Sequence, residues 1–417
     1  MMKNIIFLLF LFFVYKNIVS QDKLPQTLSL SDVEKMAIQY NPALKKGDNR
    51  ILSAEGRYLT GVSPQMPELS LSYDFVPAGS SLGNYEERSI EINQSIEFPL
   101  KLIHKGKKLN NEINIIASEN DITSLNIINN VRRAYIILLQ KQALIKIAEE
   151  NYSVASEFKS KSSIRFDVGE ATNLEKLTAD VQHAQALNNL ETLKNEYLIA
   201  LSDMLYSVGI KQIYSDYNPV LLDSLTFKYF DESLESVIQI SLKTNPLLTL
   251  SELRKNGAVM NRKIAISSFL PDLTIGYKRQ SISGINNYYG INLGISLPLW
   301  FMFDQKGKVK EADAEIKVSE YEYDEIYLDV VNSTKKAYIS LKNSEKQILL
   351  YKNTLLPESE EIFRIASTNY EIGEITYLEF LQSKQILITT KENYISALSN
   401  FNLNLIELEK ALGRKLF

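Results

Sequence analysis

The sequence predicts a mainly α-helical protein with a smaller β portion, built from two tandem structural repeats. Long segments with helical periodicity, four short segments of alternating polarity and a repeated motif support this fold class. The motif reads "FDVGEATNLEKL" from Phe166 and "YEIGEITYLEFL" from Tyr370, so its two copies lie 204 residues apart. Self-similarity at a fixed offset indicates a duplicated architecture.

The repetition continues on both sides of this motif. "QYNPAL" matches "KTNPLL", and "PELSLSY" matches "PDLTIGY", again 204 residues apart. "RRAYIILL" and "KKAYISLK" match at 203 residues, and "IEFPL" and "ISLPL" at 199, and we expect these drifts to lie in loops. The sequence therefore predicts a first repeat over residues 21–220 and a second repeat over residues 221–417.

The N-terminal segment "MMKNIIFLLFLFFVYKNIVSQ" has a lysine, eleven consecutive apolar residues from Ile5 to Tyr15, and a small residue at Ser20. This pattern is typical of a secretory signal peptide, which we place at residues 1–20. Eleven apolar residues are too few to span a bilayer as a helix, and no later segment is longer. We therefore expect an exported chain without a transmembrane helix.

Composition narrows the classes of function. The formal net charge is −4 and the chain has no cysteine. These two facts argue against a nucleic-acid partner, disulfides, thiolate metal ligands and a cysteine nucleophile. The two histidines, His104 and His183, lie in no catalytic motif, and a lone histidine on a helix is usually structural. The sequence therefore predicts no enzyme, no metal site and no cofactor.

Each repeat is predicted to contain a helix, two strands, a very long helix, a tight turn and a returning helix. The first helix should run from Ser31 to Gly61, with Ser31 and Glu34 as a capping box. Its counterpart in the second repeat should run from Asp231 to Ser268.

The long helices are predicted from about His104 to Arg165 and from about Gln305 to Asn369. At 1.5 Å per residue each would be roughly 90 Å long, which is longer than a single globular domain is wide. Pro357 interrupts the second long helix, and we expect a kink there rather than a helix start. A spacing of seven between apolar residues predicts coiled-coil seams along Val131, Leu138, Ile145 and Tyr152; along Leu341, Ile348, Leu355 and Ile362; and along Phe380, Leu387, Tyr394, Phe401 and Leu408.

The short segments alternate between apolar and polar residues, which predicts two strands in each repeat. The apolar face would carry Leu69, Leu71, Tyr73, Phe75, Ile90, Ile92, Ile96, Phe98, Leu273, Ile275, Tyr277, Ile291, Leu293, Ile295 and Leu297. Four such strands suit either a membrane sheet or a soluble sandwich, although no other segment supplies a second sheet. The cluster "WFMF" from Trp300 to Phe303 follows the last strand and would form either an interfacial aromatic belt or plain packing.

The repeated motif is interpreted as the tip of a helical hairpin. Gly169 and Gly373 follow the long helices and would adopt the left-handed conformation of a helix C-terminus. Thr172 and Thr376 would cap the returning helices. In the simplest interpretation these residues are caps and nothing more.

The chain resembles a known family in the segments "NPAL", "PELSLSY", "LLPESEEIFRIASTNYEIGEITYLEFLQSKQ" and "ALGRKLF". These segments are similar to the outer-membrane efflux proteins, the TolC-like channels, over essentially the whole chain after the signal peptide. The resemblance implies a homotrimer in outer-membrane lipid, in which four strands from each chain complete one twelve-stranded β-barrel. The long helices would continue this barrel as a coiled-coil α-barrel through the periplasm.

The resemblance also implies partners and a site. A periplasmic adaptor (membrane fusion) protein and an inner-membrane pump, of the RND or the ABC type, would supply selectivity and energy. The hairpin tips at Gly169, Glu170, Gly373 and Glu374 would dock the adaptor. The site is a periplasmic gate, in which a hydrogen bond between Tyr370 and Glu175 would hold the entrance shut.

Two residues of this gate would constrict the entrance, namely Glu379 and Gln382. Gln382 stands where the family has a second acid, and Ile375 stands where the family has an arginine of the lock, which implies a weaker lock or one built from other residues. The alternative interpretation of the carboxylates is ordinary exposed surface. 

The polar faces of the strands would line a wet pore if three chains closed the barrel, because open sheet edges are unfavourable in lipid. The predicted pore-lining residues are Ser70, Ser72, Asp74, Glu91, Asn93, Glu97, Asn292 and Ser296. The predicted function is therefore a passive export duct. The alternative is a non-channel periplasmic coiled-coil scaffold or adaptor, which would explain the seams but not the strands. The segment "EFPLKLIHKGKK" is similar to the heavy-metal efflux branch, while drug efflux and type I protein secretion stay open.

Overall fold

The computed structural model describes residues 24–211 and 217–416, and the predicted signal peptide at residues 1–20 lies outside them. The same order of elements occurs twice. It first comprises β1 (Thr27–Leu28), α1 (Leu30–Tyr40), α2 (Pro42–Val62), β2 (Glu68–Asp74), β3 (Glu87–Ile96), α3 (Pro99–Asp167) and α4 (Asn173–Val208). It then comprises β4 (Val220–Leu221), α5 (Leu234–Thr244), α6 (Pro246–Ser267), β5 (Asp272–Ile282), β6 (Ile285–Ser296), α7 (Asp304–Leu350), a π-helical turn (Tyr351–Leu355), α8 (Leu356–Glu371) and α9 (Tyr377–Leu412).

The first predicted helix of each repeat is two helices, so the continuous helices expected from Ser31 and Asp231 are wrong. α1 ends before Asn41, which has an extended backbone (ψ 120°) because the residue before a proline avoids the helical region. The Asn41 side chain then accepts from the amide of Ala43 and begins α2. The capping box of α1 is also displaced, since Ser29 and Asp32 form it in place of Ser31 and Glu34.

The same asparagine clasps the end of the returning helix. Asn41 Nδ2 donates to the carbonyl of Ser207 over 3.0 Å, and its repeat counterpart Asn245 donates to the carbonyl of Ala411 over 2.8 Å. Gly209 ends α4 in the left-handed conformation (φ +91°) with no room for a β-carbon, which would lie 2.8 Å from Asn41 Cα. Each "NP" dipeptide thus ties the start of a repeat to its end.

The long helices differ between the repeats. α3 is one helix of 69 residues, whereas the second runs through α7, the π-helical turn and α8. In the π-helical turn the Leu356 amide donates to the carbonyl of Tyr351, five residues back. The backbone stays helical up to Pro357, which lies in the first turn of α8. The change of repeat offset from 203 to 204 residues falls here, inside a helix, and our expectation that all drifts lie in loops is wrong.

The heptad positions lie mainly in two large hydrophobic cores and in a smaller cluster, against which Ile145 and Tyr152 pack. Val131 and Leu138 are fully buried in the first core, which also holds Tyr135, and Leu341 and Ile348 are fully buried in the second. Ile362, predicted in the same seam, is 45% exposed. α8 packs chiefly against α9, so its outer side is open.

Helices α2–α4 and α6–α9 lie side by side in one layer, while α1 contacts α3 and α4, and α5 contacts α7 and α9. Near the hairpin tips the order across the layer is α4, α3, α9, α8, and toward the sheet it is α2, α3, α6, α7. None of the described helices is both long and apolar enough to cross a membrane.

The four predicted strands form one antiparallel sheet in the order β2, β3, β5, β6. Its edges are β2 and β6. Leu69 pairs with Ile92, Ile92 with Tyr277, and Tyr277 with Ile291, so the apolar side chains of all four strands share one face. A separate pair of short parallel strands, β1 and β4, joins the beginnings of the two repeats.

Candidate gate at the hairpin tips

Both hairpin tips have the caps that the repeated motif predicts. Gly169 and Gly373 follow the long helices with φ values of +81° and +80°. Thr172 accepts from the amide of Glu175, which fixes Glu175 in the first turn of α4. We call α3 with α4 the first hairpin, and α7, α8 and α9 with the π-helical turn the second hairpin.

Three side chains from the two hairpins meet beside the tips. Tyr370, at the end of α8, donates its hydroxyl to Glu175 Oε1 over 2.8 Å. Arg165, at the end of α3, donates from Nη1 to the Tyr370 hydroxyl over 2.9 Å and lies 3.4 Å from Glu175 Oε1. We call Arg165, Glu175 and Tyr370 the tip triad. The contact between Tyr370 and Glu175 is therefore present within one chain, and its role in gating stays a prediction.

The protonation of Tyr370 suits this arrangement. Burial, and then the hydrogen bond to Glu175 and its negative charge, raise the pKa of the phenol well above its ordinary value of 10. The hydroxyl consequently keeps its proton and can donate to the carboxylate while it accepts from the guanidinium. Only 16% of the Glu175 side chain is exposed, so the hydroxyl and the guanidinium replace much of the water around its carboxylate.

An aromatic cluster packs against the tip triad. Phe158 of the first hairpin stacks on Tyr377 with ring centroids 4.5 Å apart and on Phe380 at 5.3 Å. Phe380 also stacks on the Tyr370 ring at 5.2 Å. Burial raises the pKa of Tyr377 to about 12. A cavity of about 630 Å³ opens beside this cluster, between Phe158 on one hairpin and Phe363 on the other. The two tips are thus joined by apolar stacking as well as by the tip triad.

Glu379 and Gln382 do not join the tip triad. The Glu379 carboxylate accepts from the amide and the hydroxyl of Thr376, both at 2.8 Å, and so completes a capping box at the start of α9. The amide hydrogen bond, followed by the hydroxyl, lowers the pKa of Glu379. Glu379 and Gln382 are both exposed. Their place at a constriction remains a prediction.

Sequence reasoning missed Arg165. The family resemblance directed attention to position 375, where an isoleucine stands, and the structure supplies a guanidinium from the other hairpin. One signal in the sequence distinguishes this residue. Arg165 lies four residues before Gly169, whereas the residue four positions before Gly373 is the uncharged Asn369, so only the first tip has a cation at this position.

The predicted pore-lining side chains share the polar face of the sheet. Ser70 pairs with Glu91, and Asp272 pairs with Ser296. Asn292 donates to Glu91 Oε1 over 2.7 Å across the sheet. The members of this face are Ser70, Ser72, Asp74, Glu91, Asn93, Asn292 and Ser296, while Glu97 lies just beyond the end of β3. The described part of the chain holds no group of His, Asp and Glu side chains arranged to bind a metal ion.

The fold matches that of solved outer-membrane channels. A crystal structure of CusC has a TM-score of 0.78 to this chain, at 19% identity, over 94% of this chain and 96% of CusC. The family model described as "Outer membrane efflux protein" matches residues 33–209 and 237–414. The chain belongs to the outer membrane efflux protein family. This membership confirms the predicted family and the predicted outer-membrane location.

Two named relatives of this efflux protein align with much of the chain at low sequence identity. "Cobalt-zinc-cadmium resistance protein CzcC" of Cupriavidus metallidurans is 22% identical over 293 residues, which are 68% of this chain and 67% of CzcC. "Outer membrane protein TolC" of Salmonella enteritidis is 22% identical over 418 residues, which are 94% of this chain and 83% of TolC.

Proposed function

We propose that this efflux protein is the passive outer-membrane exit duct of a tripartite efflux or type I secretion system. The observation that carries the proposal is the four-stranded sheet, because its apolar face is exposed and both of its edges are open. Leu69 is 73% exposed and Leu293 is 79% exposed on this face. Water is a poor solvent for such a surface, and lipid is a suitable one.

Three copies of the chain would remove the open edges. Because strands alternate in direction across β2, β3, β5 and β6, the β6 edge of one copy is antiparallel to the β2 edge of the next. Antiparallel pairing around a ring of three chains closes a barrel of twelve strands with no unpaired backbone in lipid. The polar face, with Glu91 and Asn292, would then line the pore. Trp300 and Phe303, which are 75% and 79% exposed, would lie at the membrane boundary as an aromatic belt.

The helical layer also has edges that suit a second copy. α2 lies at one edge and carries four basic residues and two acids, while α7 lies at the other edge and its residues 311–329 carry eight acids and one lysine. A basic edge on one protomer against an acidic edge on the next would favour a ring of identical chains. The proposed homotrimer therefore has complementary charge as well as complementary strands.

The long helices lead away from the sheet to the hairpin tips, and the proposed partners would meet the channel at that end. A periplasmic adaptor would dock at the tips, around Glu170 and Glu374, and an inner-membrane RND or ABC pump would supply the energy. The tip triad would hold the periplasmic entrance shut, and Glu379 and Gln382 would lie at its constriction. Metal cations are the first cargo to test, because CzcC is named for resistance to cobalt, zinc and cadmium.

Fractionation tests this proposal against the alternative of a non-channel periplasmic scaffold. The duct should be extracted from outer membranes only with detergent, should migrate as a trimer, and should give discrete conductance steps in planar bilayers. A soluble periplasmic monomer without conductance would contradict it. The scaffold alternative leaves the exposed apolar face of the sheet without a role.

A further inference from the structure

We propose that Arg165 is a positioning residue of the periplasmic gate, and that the lock it completes exists inside each chain but not between chains. This inference rests on the proposed channel function. It assigns the arginine arm of the lock to the first hairpin, whereas the family resemblance places that arginine at position 375, in the second hairpin, where this chain has an isoleucine.

The contacts of Arg165 support the first half of the proposal, that this arginine is a positioning residue of the gate. Its guanidinium donates to the Tyr370 hydroxyl over 2.9 Å and lies 3.4 Å from the Glu175 carboxylate. Its Cζ also lies 5.9 Å from the centre of the Tyr370 ring. One planar cation thus contacts both partners of the interhairpin hydrogen bond, and it polarises the hydroxyl toward the carboxylate.

The hairpin turn does not depend on the side chain of Arg165. The carbonyl of Arg165 accepts from the amides of Glu170 and Ala171, and these bonds hold the turn whatever the side chain is. The Arg165 side chain is 42% exposed, so its removal opens no cavity in a core. Its loss should therefore weaken the contact between the hairpins while the hairpin itself stays folded.

A comparison of the two repeats supports the second half of the proposal, that the lock does not exist between chains. The counterparts of Arg165, Tyr370 and Glu175 at the 204-residue offset are Asn369, Phe166 and Glu379. In a ring of three chains these counterparts would face each other where the second hairpin of one protomer meets the first hairpin of the next. Asn369 lacks the charge, Phe166 lacks the hydroxyl, and Glu379 is engaged by Thr376. A closed trimer therefore has three locked seams and three unlocked ones.

Single-channel recording in planar bilayers tests the role of Arg165. Tyr370→Phe, Arg165→Met and the double variant are compared with the wild type, after each has been shown to form trimers. We expect Arg165→Met to raise the ratio of open to closed channel by about 3- to 10-fold, given the partial exposure of the pair. The double variant should show less than the product of the two single effects, because both changes break one unit.

A matched arginine serves as the control. Arg364 forms its ion pair with Glu361 inside α8, 2.6 Å apart, and bridges no hairpins. Arg364→Met should leave the ratio unchanged. If Arg165→Met does not assemble, Arg165→Gln replaces it, since glutamine keeps a donor and removes the charge; a wild-type ratio in that variant would overturn the role of Arg165.

The outcomes separate this inference from the proposed function. A raised ratio in Tyr370→Phe with an unchanged ratio in Arg165→Met overturns the role of Arg165 and leaves the gate. An unchanged ratio in both variants overturns the gate itself, and a wild type without conductance overturns the channel.

The unlocked seams permit a test by gain of function. Asn369→Arg with Phe166→Tyr installs the two missing groups at the counterpart positions. The double substitution should lower the open-to-closed ratio below that of the wild type, and Phe166→Tyr alone should lower it less. A ratio equal to that of the wild type would overturn the assignment of three locked and three unlocked seams.

Discussion

Arg132 of α3 and Glu409 of α9 form an ion pair that is almost closed off from solvent. Their side chains are 9% and 2% exposed, and 277 residues of sequence separate them. Glu34 of α1 lies 3.5 Å from the Arg132 Nε, and the Leu416 amide donates to Glu409 Oε1 over 2.7 Å. This cluster joins the two repeats beside the core that holds Tyr135.

Arg132→Met should destabilise the protein by about 3 to 5 kcal/mol, because it leaves the buried Glu409 carboxylate without its cation. The apparent melting temperature of the detergent-solubilised protein measures the effect. Arg133 pairs with Glu407 on the same two helices but with side chains 38% and 44% exposed, so Arg133→Met should cost less than about 1 kcal/mol. Arg132→Met with Glu409→Leu should recover most of the loss, and equal melting in the single and double variants would contradict the argument.

Gly373→Val should impair export while the trimer persists. Gly373 has a φ of +80° with open space around it, so a β-branched residue strains the backbone by about 1 kcal/mol or more without a clash. Gly79 has the same conformation (φ +84°) and the same open space around it. It lies in the loop between β2 and β3, at the sheet and away from the hairpin tips. Gly79→Val should therefore export normally in a cargo-efflux assay.

Photo-cross-linkers at positions 170 and 374 should capture the adaptor in cells, since Glu170 and Glu374 are exposed at the tips. Normal export without any captured adaptor would place the docking site elsewhere. A cross-linker at the exposed Glu311 of α7, far along the second hairpin from its tip, serves as the negative control.

Glu379→Gln should lower the cation preference of the channel, measured as the reversal potential in a salt gradient. Glutamine keeps the capping box and removes the charge, so it separates the two roles of this residue. The Thr376 hydrogen bonds hold the pKa of Glu379 below its ordinary value of 4.5 in the folded state. A carboxyl with a lowered folded pKa stays ionised above its unfolded pKa, and its effect is lost as the pH falls through the folded pKa.

The cation preference of the wild type should therefore hold from neutral pH down to about 4.5 and decline only below it. Gln382→Glu should increase the preference by adding a second acid one turn along α9. An unchanged reversal potential in Glu379→Gln would place this side chain away from the pore axis.

Asn41→Ala should destabilise the protein by about 1 to 2 kcal/mol. The substitution removes the cap on the Ala43 amide and the hydrogen bond to the Ser207 carbonyl together. Asn49, whose amide group donates only to the exposed carbonyl of Lys45, offers a matched control. Equal melting temperatures of Asn41→Ala and Asn49→Ala would show that the clasp contributes nothing.

Local patterns in the sequence predicted the local structure. The caps at Thr172 and Thr376 and the shared faces of the strands follow from residues a few positions apart, where backbone geometry alone decides. The breaks at Asn41 and Asn245 are local as well, because the proline after each asparagine disfavours the helical region there, although one continuous helix was expected in each repeat. The pairing of Arg132 with Glu409 and of Arg165 with Tyr370 was not readable, since it depends on how two repeats pack and no local spacing encodes it.

The π-helical turn from Tyr351 to Leu355 lets two helices of unequal length finish together. Between Tyr338 and Tyr370 the second repeat has one residue more than the first repeat has between Tyr135 and Phe166. In an unbroken α-helix one extra residue would turn everything beyond it by about 100° and advance it by about 1.5 Å. The π-helical turn accommodates that residue as a π-bulge, so the helix beyond it keeps its rotation. The hydroxyl of Tyr370 consequently points at Glu175 rather than past it, so the extra residue leaves the geometry of the tip unchanged.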